Sequence, residues 1–461
     1  MARVEVNPYI FRQYDIRGIA DRDFIDPVTI LLGKAIGTYL RRKGVKTLSL
    51  GRDVRLSSNR LRNSLIHGLT NVGINVIDIG VVPTPVLYFS VYELNVDAGV
   101  MITGSHNPPE YNGFKLMLRD ETIYGEQIQE IRRIMEEEDF NGGLGNLKEE
   151  HIVPRYIEML KTKVKFVRSP YIIIDPGNGT AGPIAKQLFT ELGAKVECIY
   201  CEPDGNFPNH LPDPTVPEFV KDLQRMVTTK GADLGISYDG DADRVGIITE
   251  KGDMVYGDQL LGILAKDLLT RHPGAKIIFD VKCSQGLEEY IRQLGGTPII
   301  WKTGHSLLKA KMREEHALLA GEMSAHMFIK EDYYGFDDAI FASLKLVEIW
   351  SKSGKPFSEL VSEIPYYCST PEIRRPSTDE HKFTIVNKLR DRFREKGYKL
   401  LDIDGARIYF PDGWALVRAS NTQPILVLRF EAKDEANLQK IKQIVEKELS
   451  EIEDEIGIRK E

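Results

Sequence analysis

Apolar and polar positions follow the same order three times along the first 365 residues of the chain. Each repeat predicts a strand, a helix, a strand, a helix and a further strand, because short β-branched runs alternate with amphipathic segments of helical spacing. The first two strands of each repeat are predicted at 47–53 and 75–79, at 171–175 and 195–199, and at 276–280 and 297–301, with helices such as 27–42, 59–72 and 181–192. This alternation predicts α/β units with mixed, largely parallel sheets.

A different pattern follows residue 365. It predicts a helix at 379–396, closely spaced strands at 398–403, 406–410, 414–419 and 425–431, and a charged helix at 434–453. Closely spaced strands are typical of an antiparallel sheet, so this part predicts a C-terminal α+β domain. Together with the length of 461 residues, the patterns predict four domains, at 1–150, 151–252, 253–365 and 366–461.

The third strand of each repeat leads into a loop rich in polar residues. The three loops are Thr103-Gly-Ser-His-Asn-Pro108 (the serine loop), Asp239-Gly-Asp-Ala-Asp-Arg244 (the acidic loop) and Gly321-Glu-Met-Ser-Ala-His326. Ligands of open α/β sheets bind beyond the carboxyl ends of the strands, so these loops indicate where the chemistry takes place.

Charge and apolar composition limit the classes of partner that the protein can bind. With 61 basic and 68 acidic residues the net charge is −7, so no general field favours nucleic acid or an anionic membrane. The N-terminus lacks the apolar core of a signal peptide and no apolar stretch is long enough to span a bilayer, which predicts a cytoplasmic protein. Cys198 and Cys201 have the spacing of a redox or metal pair, but in a predicted strand they would face opposite sides. We therefore expect a chance spacing and a reducing compartment.

Ser105 stands at a predicted strand tip, before two prolines that prevent an immediate helix. Gly104 beside it allows close approach of a substrate. Ser105 is therefore a candidate nucleophile or phosphate carrier, although a plain polar loop explains this segment better when it is taken alone. Lys115, a few residues further along, is a candidate cation or proton shuttle for the same site.

Asp239, Asp241 and Asp243 crowd three carboxylates into five residues between two apolar runs. Such carboxylates repel one another unless a cation neutralises them, and hard oxygen ligands suit Mg²⁺. A solvated acidic turn, a calcium-binding hand and a phosphatase of the two-aspartate type are the alternatives. Glu250 even falls at the twelfth position of a calcium hand, but Arg244 occupies the sixth, where that loop needs glycine, and the flanks look like strands. The phosphatase motif expects Thr or Val where Asp243 stands.

Two further segments suit a phosphosugar. Glu322, Ser324 and His326 offer an acceptor, a hydroxyl and an imidazole, which is the mixture that sugar hydroxyls require. A guanidinium, two hydroxyls and an amide in the last predicted domain would suit a phosphate dianion; they belong to Arg418, Ser420, Asn421 and Thr422, with Arg429 beyond. By itself this second pattern is also ordinary turn chemistry.

The serine loop resembles the active-serine loop of the α-D-phosphohexomutases, specifically that of the bacterial phosphomannomutase/phosphoglucomutase group. The segment Tyr14-Asp-Ile-Arg-Gly18, near the N-terminus, resembles a second motif of that family. The resemblance extends from Tyr14 to Arg429. It implies domains arranged around a central cleft and a phosphoserine at position 105, which also completes the shell of one Mg²⁺ held by the three aspartates. It further implies that sugar or phosphate is bound by Tyr14, Arg17, Arg244, Lys282 and His305, and that the loop at 418–422 grips the phosphate that is not transferred. Ala325 departs from the family, which usually has glycine there.

The resemblance implies an enzyme that interconverts the 1- and 6-phosphates of mannose or glucose through a hexose 1,6-bisphosphate, which also serves as activator. His326 and Lys115, assisted by Arg17, are the candidate acid/base groups. Small phosphosugars would be the partners of a monomer or weak dimer, without nucleic acid or membrane. A phosphoglucosamine mutase, or a non-catalytic sugar-phosphate or Ca²⁺-binding protein, remains as an alternative.

Overall fold

The computed structural model describes residues 5–420 and 424–457. Three α/β units with largely parallel sheets are followed by a unit with an antiparallel sheet, so the predicted fold class is confirmed. The exact domain boundaries stay predictions.

The first unit contains a seven-stranded sheet in the order β7-β3-β2-β4-β5-β1, with β6 paired to β5. Its strands are β1 (Ile16–Ile19), β2 (Thr47–Arg52), β3 (Asn75–Val81), β4 (Ala98–Ile102), β5 (Tyr111–Leu118), β6 (Glu121–Thr122) and β7 (Leu147–Glu149). Its helices are α1 (Ala20–Asp23), α2 (Asp26–Arg42), α3 (Ser58–Thr70), α4 (Thr84–Glu93) and α5 (Glu126–Glu137).

The second and third units have smaller sheets, ordered β9-β8-β10-β11-β12 and β14-β13-β15-β16. Their strands are β8 (Tyr171–Asp175), β9 (Lys195–Cys198), β10 (Leu234–Tyr238), β11 (Val245–Thr249), β12 (Met254–Val255), β13 (Lys276–Asp280), β14 (Thr297–Trp301), β15 (Leu319–Gly321) and β16 (Met327–Ile329). Their helices are α6 (Val153–Lys161), α7 (Ala181–Glu191), α8 (Lys221–Lys230), α9 (Gly257–Arg271), α10 (Gln285–Gln293), α11 (His305–Glu315), α12 (Ala339–Ser353) and α13 (Phe357–Ser362).

The fourth unit is an antiparallel sheet in the order β17-β22-β21-β20-β19, with β18 also paired to β22. Its strands are β17 (Cys368–Ser369), β18 (Ile373–Pro376), β19 (Lys399–Leu401), β20 (Ala406–Phe410), β21 (Gly413–Ala419) and β22 (Ile425–Ala432). Helices α14 (Lys382–Glu395) and α15 (Glu435–Glu455) cover it.

One hydrophobic core joins the first three units, whereas the fourth has a core of its own. Helix α4 connects the first unit to this shared core. Its sequence is apolar on nearly every side, and its residues from Thr84 to Val91 are all buried, as expected of a helix with no polar face. It packs on its own sheet and enters the core that the second and third units share.

Each of the three special loops is a hairpin connection at the carboxyl end of a central strand. β4, β10 and β15 run parallel to β2, β8 and β13, and after its loop the chain returns antiparallel in β5, β11 and β16. The repeat therefore presents three equivalent loops, as the sequence predicts. Among the residues that the structure describes, no helix has the length and apolarity required to cross a membrane.

The expectation for Cys198 and Cys201 is wrong. The structure joins them in a disulfide. Strand β9 ends at Cys198 itself, and Tyr200 adopts a positive φ of 53°. The chain therefore turns between the two cysteines instead of continuing as a strand, and their side chains meet.

Candidate active site

The serine loop and the acidic loop touch each other, although 134 residues separate Ser105 from Asp239. Ser105 is buried, adopts a positive φ of 50°, and its Oγ donates to Asp239 Oδ2 at 2.7 Å. His106 Nδ1 lies 3.2 Å from the same hydroxyl. A Cβ at position 240 would lie 2.5 Å from the Ser105 carbonyl oxygen, so Gly240 permits this approach of the two backbones.

An ion pair beneath the serine loop fixes its shape. Asp53 follows β2 and accepts from the Thr103 hydroxyl at 2.9 Å and the Gly104 N–H at 3.1 Å. The fully buried guanidinium of Arg55 pairs with Asp53 at 3.1 Å and donates to four carbonyl oxygens of the loop. Those carbonyls belong to Ser105, Asn107, Pro108 and Tyr111. A Cβ at Gly104 would lie 2.4 Å from the guanidinium, so glycine is needed here.

The three aspartates of the acidic loop are fully buried, with one carboxylate oxygen of each within 4.8 Å of the others. Burial, together with the charges of Asp243 and Asp241, raises the pKa of Asp239 well above its ordinary value. Burial acts in the same direction on Asp241 and Asp243, but several contacts together outweigh it and lower the pKa of both. Lys115 acts on both carboxylates, the Thr84 hydroxyl also on Asp241, and His326 and Arg244 also on Asp243. Lys115 Nζ lies 2.6 Å from Asp241 Oδ2 and also contacts Asp243 Oδ2.

The loop fits a hard divalent cation. Asp241 Oδ1 and Asp243 Oδ1 are buried and accept a hydrogen bond from none of the residues that the structure describes. Unpartnered carboxylate oxygens in a dry site favour binding of a cation. The calcium hand is excluded, because Glu250 accepts from the N–H and hydroxyl of Ser358 and lies at the far end of β11.

Arg244 connects the acidic loop to the loop at 321–326, which is predicted to bind a sugar and is called the sugar loop from here on. Its Nε donates to His326 Nε2 at 3.0 Å, and the neighbouring backbone N–H of Val245 donates to the Ala325 carbonyl at 3.2 Å. Ala325 adopts a positive φ of 70°, in the left-handed region that favours glycine. The departure from the family at this position therefore carries a backbone cost here.

Hydrogen bonds within the third unit fix the conformation of the sugar loop. Glu322 Oε1 accepts from the Gly304 N–H at 2.6 Å and Oε2 from the Ser324 hydroxyl at 2.7 Å. Asp280, the last residue of β13, accepts from the Met323 N–H at 3.1 Å. Asp280 thus holds the sugar loop as Asp53 holds the serine loop, from the neighbouring parallel strand.

The predicted phosphate grip lies at the junction of the third and fourth units. Arg418 pairs with Asp404 at 3.1 Å, and Asp404 accepts from the Thr303 N–H at 3.0 Å. The Tyr14 hydroxyl donates to the Thr303 carbonyl at 2.7 Å, which brings the first unit to the same point. Asn421 and Thr422 lie outside the described residues.

The remaining predicted residues lie at several points of the first, third and fourth units. Arg17 donates to Asn107 Oδ1 at 2.9 Å and therefore lies beside the serine loop. Lys282 Nζ is 3.5 Å from Glu372 Oε2, and Arg429 Nη2 is 3.9 Å from Asp258 Oδ2. The Ser420 N–H donates to the Ile425 carbonyl at 3.0 Å, so it belongs to the β21–β22 connection.

His305 and His326 stack with ring centroids 5.6 Å apart, and both turn Nδ1 toward Asp337 Oδ2, at 3.4 and 3.1 Å. Sequence reasoning missed Asp337, as it missed Arg55 and Asp404. The aspartate that ends the first strand of each repeat was the available signal for Asp53 and Asp280. Asp337 and Asp404 carry no such pattern.

Comparisons with known proteins agree along most of the chain. Family models match at 8–142, 154–252 and 256–367 (phosphoglucomutase/phosphomannomutase α/β/α domains I, II and III) and at 372–448 (the C-terminal domain). A phosphomannomutase/phosphoglucomutase of Pseudomonas aeruginosa is 45% identical over 449 residues, covering 97% of each chain. A phosphoglucomutase of Neisseria gonorrhoeae is 44% identical, covering 94% of this chain and 95% of its own. A crystal structure of a Burkholderia thailandensis phosphoglucomutase/phosphomannomutase family protein superposes with a TM-score of 0.93 at 40% identity, covering 97% of this chain and 98% of that one.

Proposed function

We infer that this chain, which belongs to the phosphoglucomutase/phosphomannomutase family, interconverts hexose 1-phosphates and hexose 6-phosphates, with mannose and glucose as the sugars, through a phosphorylated Ser105. The observation that carries the mechanism is the contact between Ser105 Oγ and Asp239 in a buried cluster of carboxylates. A serine in that place serves chemistry that needs a phosphoryl group next to a cation.

Asp239, Asp241 and Asp243 would hold one Mg²⁺. When bound, the ion would neutralise charge on the transferring phosphoryl group, which is the principal requirement of phosphoryl transfer. Lys115 adds a fixed positive charge to the same carboxylates. Arg17 and Arg244 lie beside the serine loop and the acidic loop, where they would steady the phosphoryl oxygens.

The transfer itself requires one proton acceptor. The bond from phosphorus to Ser105 Oγ breaks while a bond forms from phosphorus to a sugar hydroxyl oxygen, and the hydroxyl proton passes to His326 Nε2. Arg244 must release Nε2 to the hydroxyl, which frees its guanidinium for phosphate. Lys115 is bound to two carboxylates and is suited to charge compensation rather than to proton transfer. The product is a hexose 1,6-bisphosphate. The same compound would also rephosphorylate Ser105 in an enzyme molecule that has lost its phosphoryl group.

The second half of the cycle requires the bisphosphate to turn around. Glu322 and Ser324 would bind hydroxyls that both orientations present. Lys282, His305, Arg418, Ser420 and Arg429, together with Tyr14, Asn421 and Thr422, would hold the sugar and the phosphate that is not transferred. A cytoplasmic location and a monomer or weak dimer complete the proposal.

The deciding experiment uses Ser105→Ala. Conversion of mannose 1-phosphate and glucose 1-phosphate to the 6-phosphates should disappear, because no hydroxyl remains to carry the phosphoryl group. Intact-mass measurement after incubation with glucose 1,6-bisphosphate should show one phosphoryl group on the wild type and none on the variant.

Ser362→Ala is the matched control, since Ser362 is an exposed serine at the end of α13; it should keep both turnover and phosphorylation. Undiminished turnover by Ser105→Ala would refute the mechanism. Glucosamine 6-phosphate, assayed in parallel, should be a poor substrate; a preference for it would move the chain to the phosphoglucosamine mutases.

A further inference from the structure

Asp337 lies next to His305 and His326, between β16 and α12, and is fully buried. A single carboxylate oxygen, Oδ2, faces both imidazoles, at 3.1 Å from His326 Nδ1 and 3.4 Å from His305 Nδ1. The two rings are nearly parallel, with 16° between their planes. One carboxylate oxygen therefore addresses the same nitrogen on two stacked rings.

Lys309 holds the other oxygen. Its Nζ lies 2.8 Å from Asp337 Oδ1, and the ring of Tyr88, from α4 of the first unit, covers the ammonium at 4.5 Å. Burial alone would raise the pKa of Asp337, but Lys309 and the two imidazoles lower it well below its ordinary value. The carboxylate is therefore ionised and fixed in orientation, and it offers only Oδ2 to the histidines.

The tautomer of His326 follows from its other nitrogen. Arg244 Nε donates to His326 Nε2 at 3.0 Å. A guanidinium has no acceptor, so Nε2 carries the lone pair, and in a neutral imidazole the proton must then be on Nδ1. That N–H faces Asp337 Oδ2 and, at 3.6 Å, Asp243 Oδ1. It has hydrogen-bond geometry with neither oxygen, so the attraction is electrostatic.

A metal site is the competing interpretation, because Asp243, His326 and Asp337 place three possible ligand atoms within 4.8 Å of one another. A metal at Nδ1 would need the lone pair there, whereas the bond from Arg244 places it on Nε2. A neutral imidazole has only one such lone pair. Metal binding would have to break the Arg244 bond first, so the geometry favours the protonated Nδ1.

We propose that Asp337 is a positioning residue that holds His326 in the Nδ1–H tautomer once Arg244 has released Nε2, and thereby keeps the Nε2 lone pair of His326 available as the proton acceptor of the transfer step. The proposal rests on the proposed function, in which His326 accepts the hydroxyl proton. Asp337 itself takes no proton; it stabilises the imidazolium that forms when Nε2 is protonated.

Asp337→Asn tests the role, since the amide keeps the shape and removes the charge. We expect kcat for glucose 1-phosphate to fall by about 10²–10⁴-fold with KM changed less than about threefold, because the base is lost from the reacting state and not from binding. In ¹⁵N spectra of histidine-labelled, dephosphorylated protein with glucose 1-phosphate bound, when Arg244 has turned from Nε2 to the phosphate, and with His326→Gln to assign the signals, His326 should shift from the Nδ1–H toward the Nε2–H form.

Asp338→Asn is the matched control. Asp338 is the adjacent buried aspartate, but it accepts from Tyr156, Tyr333 and the Phe341 N–H and faces neither histidine. Its kcat should stay within about twofold of the wild type. If Asp337→Asn does not fold, Lys309→Gln replaces it, since it leaves Asp337 in place but frees Oδ1; kcat should fall with KM nearly unchanged.

Wild-type kcat in Asp337→Asn, or in Lys309→Gln where that variant replaces it, would overturn the proposal. So would an unchanged His326 tautomer in Asp337→Asn, or tight Zn²⁺ binding to the wild type that His326→Gln abolishes. These results are separable from failure of the proposed function. An active Ser105→Ala refutes the function, whereas an inactive Ser105→Ala beside a normal Asp337→Asn refutes only the positioning role.

Discussion

Arg55 should control the geometry of Ser105, the proposed phosphoryl carrier, without touching the substrate. A guanidinium has five N–H donors, and Arg55 uses all of them: one to Asp53 and four to carbonyl oxygens of the serine loop. Lysine at this position keeps a positive charge but offers three donors from one nitrogen, and so it must leave at least two acceptors unpaired. We therefore predict that Arg55→Lys displaces the loop while the fold persists.

The magnitude follows from the contacts. Hydrogen bonds to charged groups contribute about 1.5–3 kcal/mol each, so two lost bonds should loosen the loop by about 3–6 kcal/mol before relaxation. A displacement of about 1 Å at the reacting atom costs roughly 10²-fold in rate. We expect kcat to fall by about that factor with KM little changed, and hydrogen exchange of the amides at 103–111 to accelerate.

Arg52→Lys is the control, because Arg52, the last residue of β2, lies three positions before Arg55 but pairs with Asp78 at 3.1 Å. It should keep wild-type kcat and exchange. The reasoning would be refuted if Arg55→Lys turned over normally with unchanged loop protection, or if both variants lost activity equally.

Three further changes test other parts of the site. Asp241→Asn removes one charged ligand and should lower kcat and raise the Mg²⁺ concentration needed for half-maximal activity; wild-type kinetics at limiting Mg²⁺ would exclude the assignment. Arg418→Ala removes a charge-assisted phosphate contact worth about 1.5–3 kcal/mol, so kcat/KM should fall about 10- to 100-fold for 1- and 6-phosphates alike, and loss with one substrate only would contradict it. Burial raises the pKa of Asp338 from 3.8 to about 6, so the native state binds this proton more tightly and stability is lost as pH rises through this range, by about 3 kcal/mol above pH 6. Asp338→Asn should therefore gain that much relative to wild type between pH 4 and 7, as measured by unfolding midpoints, and a constant difference would show that Asp338 does not titrate there.

Local patterns of apolar and polar residues were enough to predict much of the fold. The predicted strands at 171–175, 276–280 and 297–301 match the structure to the residue, because each is a short apolar run bounded by polar residues. Predictions were poorest where tertiary contacts decide. The helix predicted at 379–396 begins at Lys382. The strand predicted at 195–199 ends at Cys198, and Tyr200, with its positive φ, turns the chain shortly after it.

The site divides in the same way. Ser105 and the acidic loop could be predicted from the sequence because the residues that give them their chemical character are adjacent in the chain. Arg55, Asp337 and Asp404 were not, because each acts through partners that only the folded chain supplies. Asp53 and Asp280 fall between: both end the first strand of a repeat, and the parallel neighbour of that strand carries the loop that each aspartate holds. A repeated strand-end aspartate therefore predicts an anchor for the loop next to it.

Charge explains why the serine loop and the acidic loop must act together. Three buried carboxylates face two cations, Lys115 and Arg244, so the cluster has a net formal charge of −1 when all three carboxylates are ionised. A phosphoserine carries about −1.5 to −2 at neutral pH, so phosphorylation alone would bring this buried cluster to about −3. At 4 Å and an effective dielectric constant of 20, each further pair of like charges costs about 4 kcal/mol. A bound divalent cation would return the cluster to about −1. Under the proposed mechanism, retention of the phosphoryl group on Ser105 and binding of the metal by Asp239 should therefore be linked free energies.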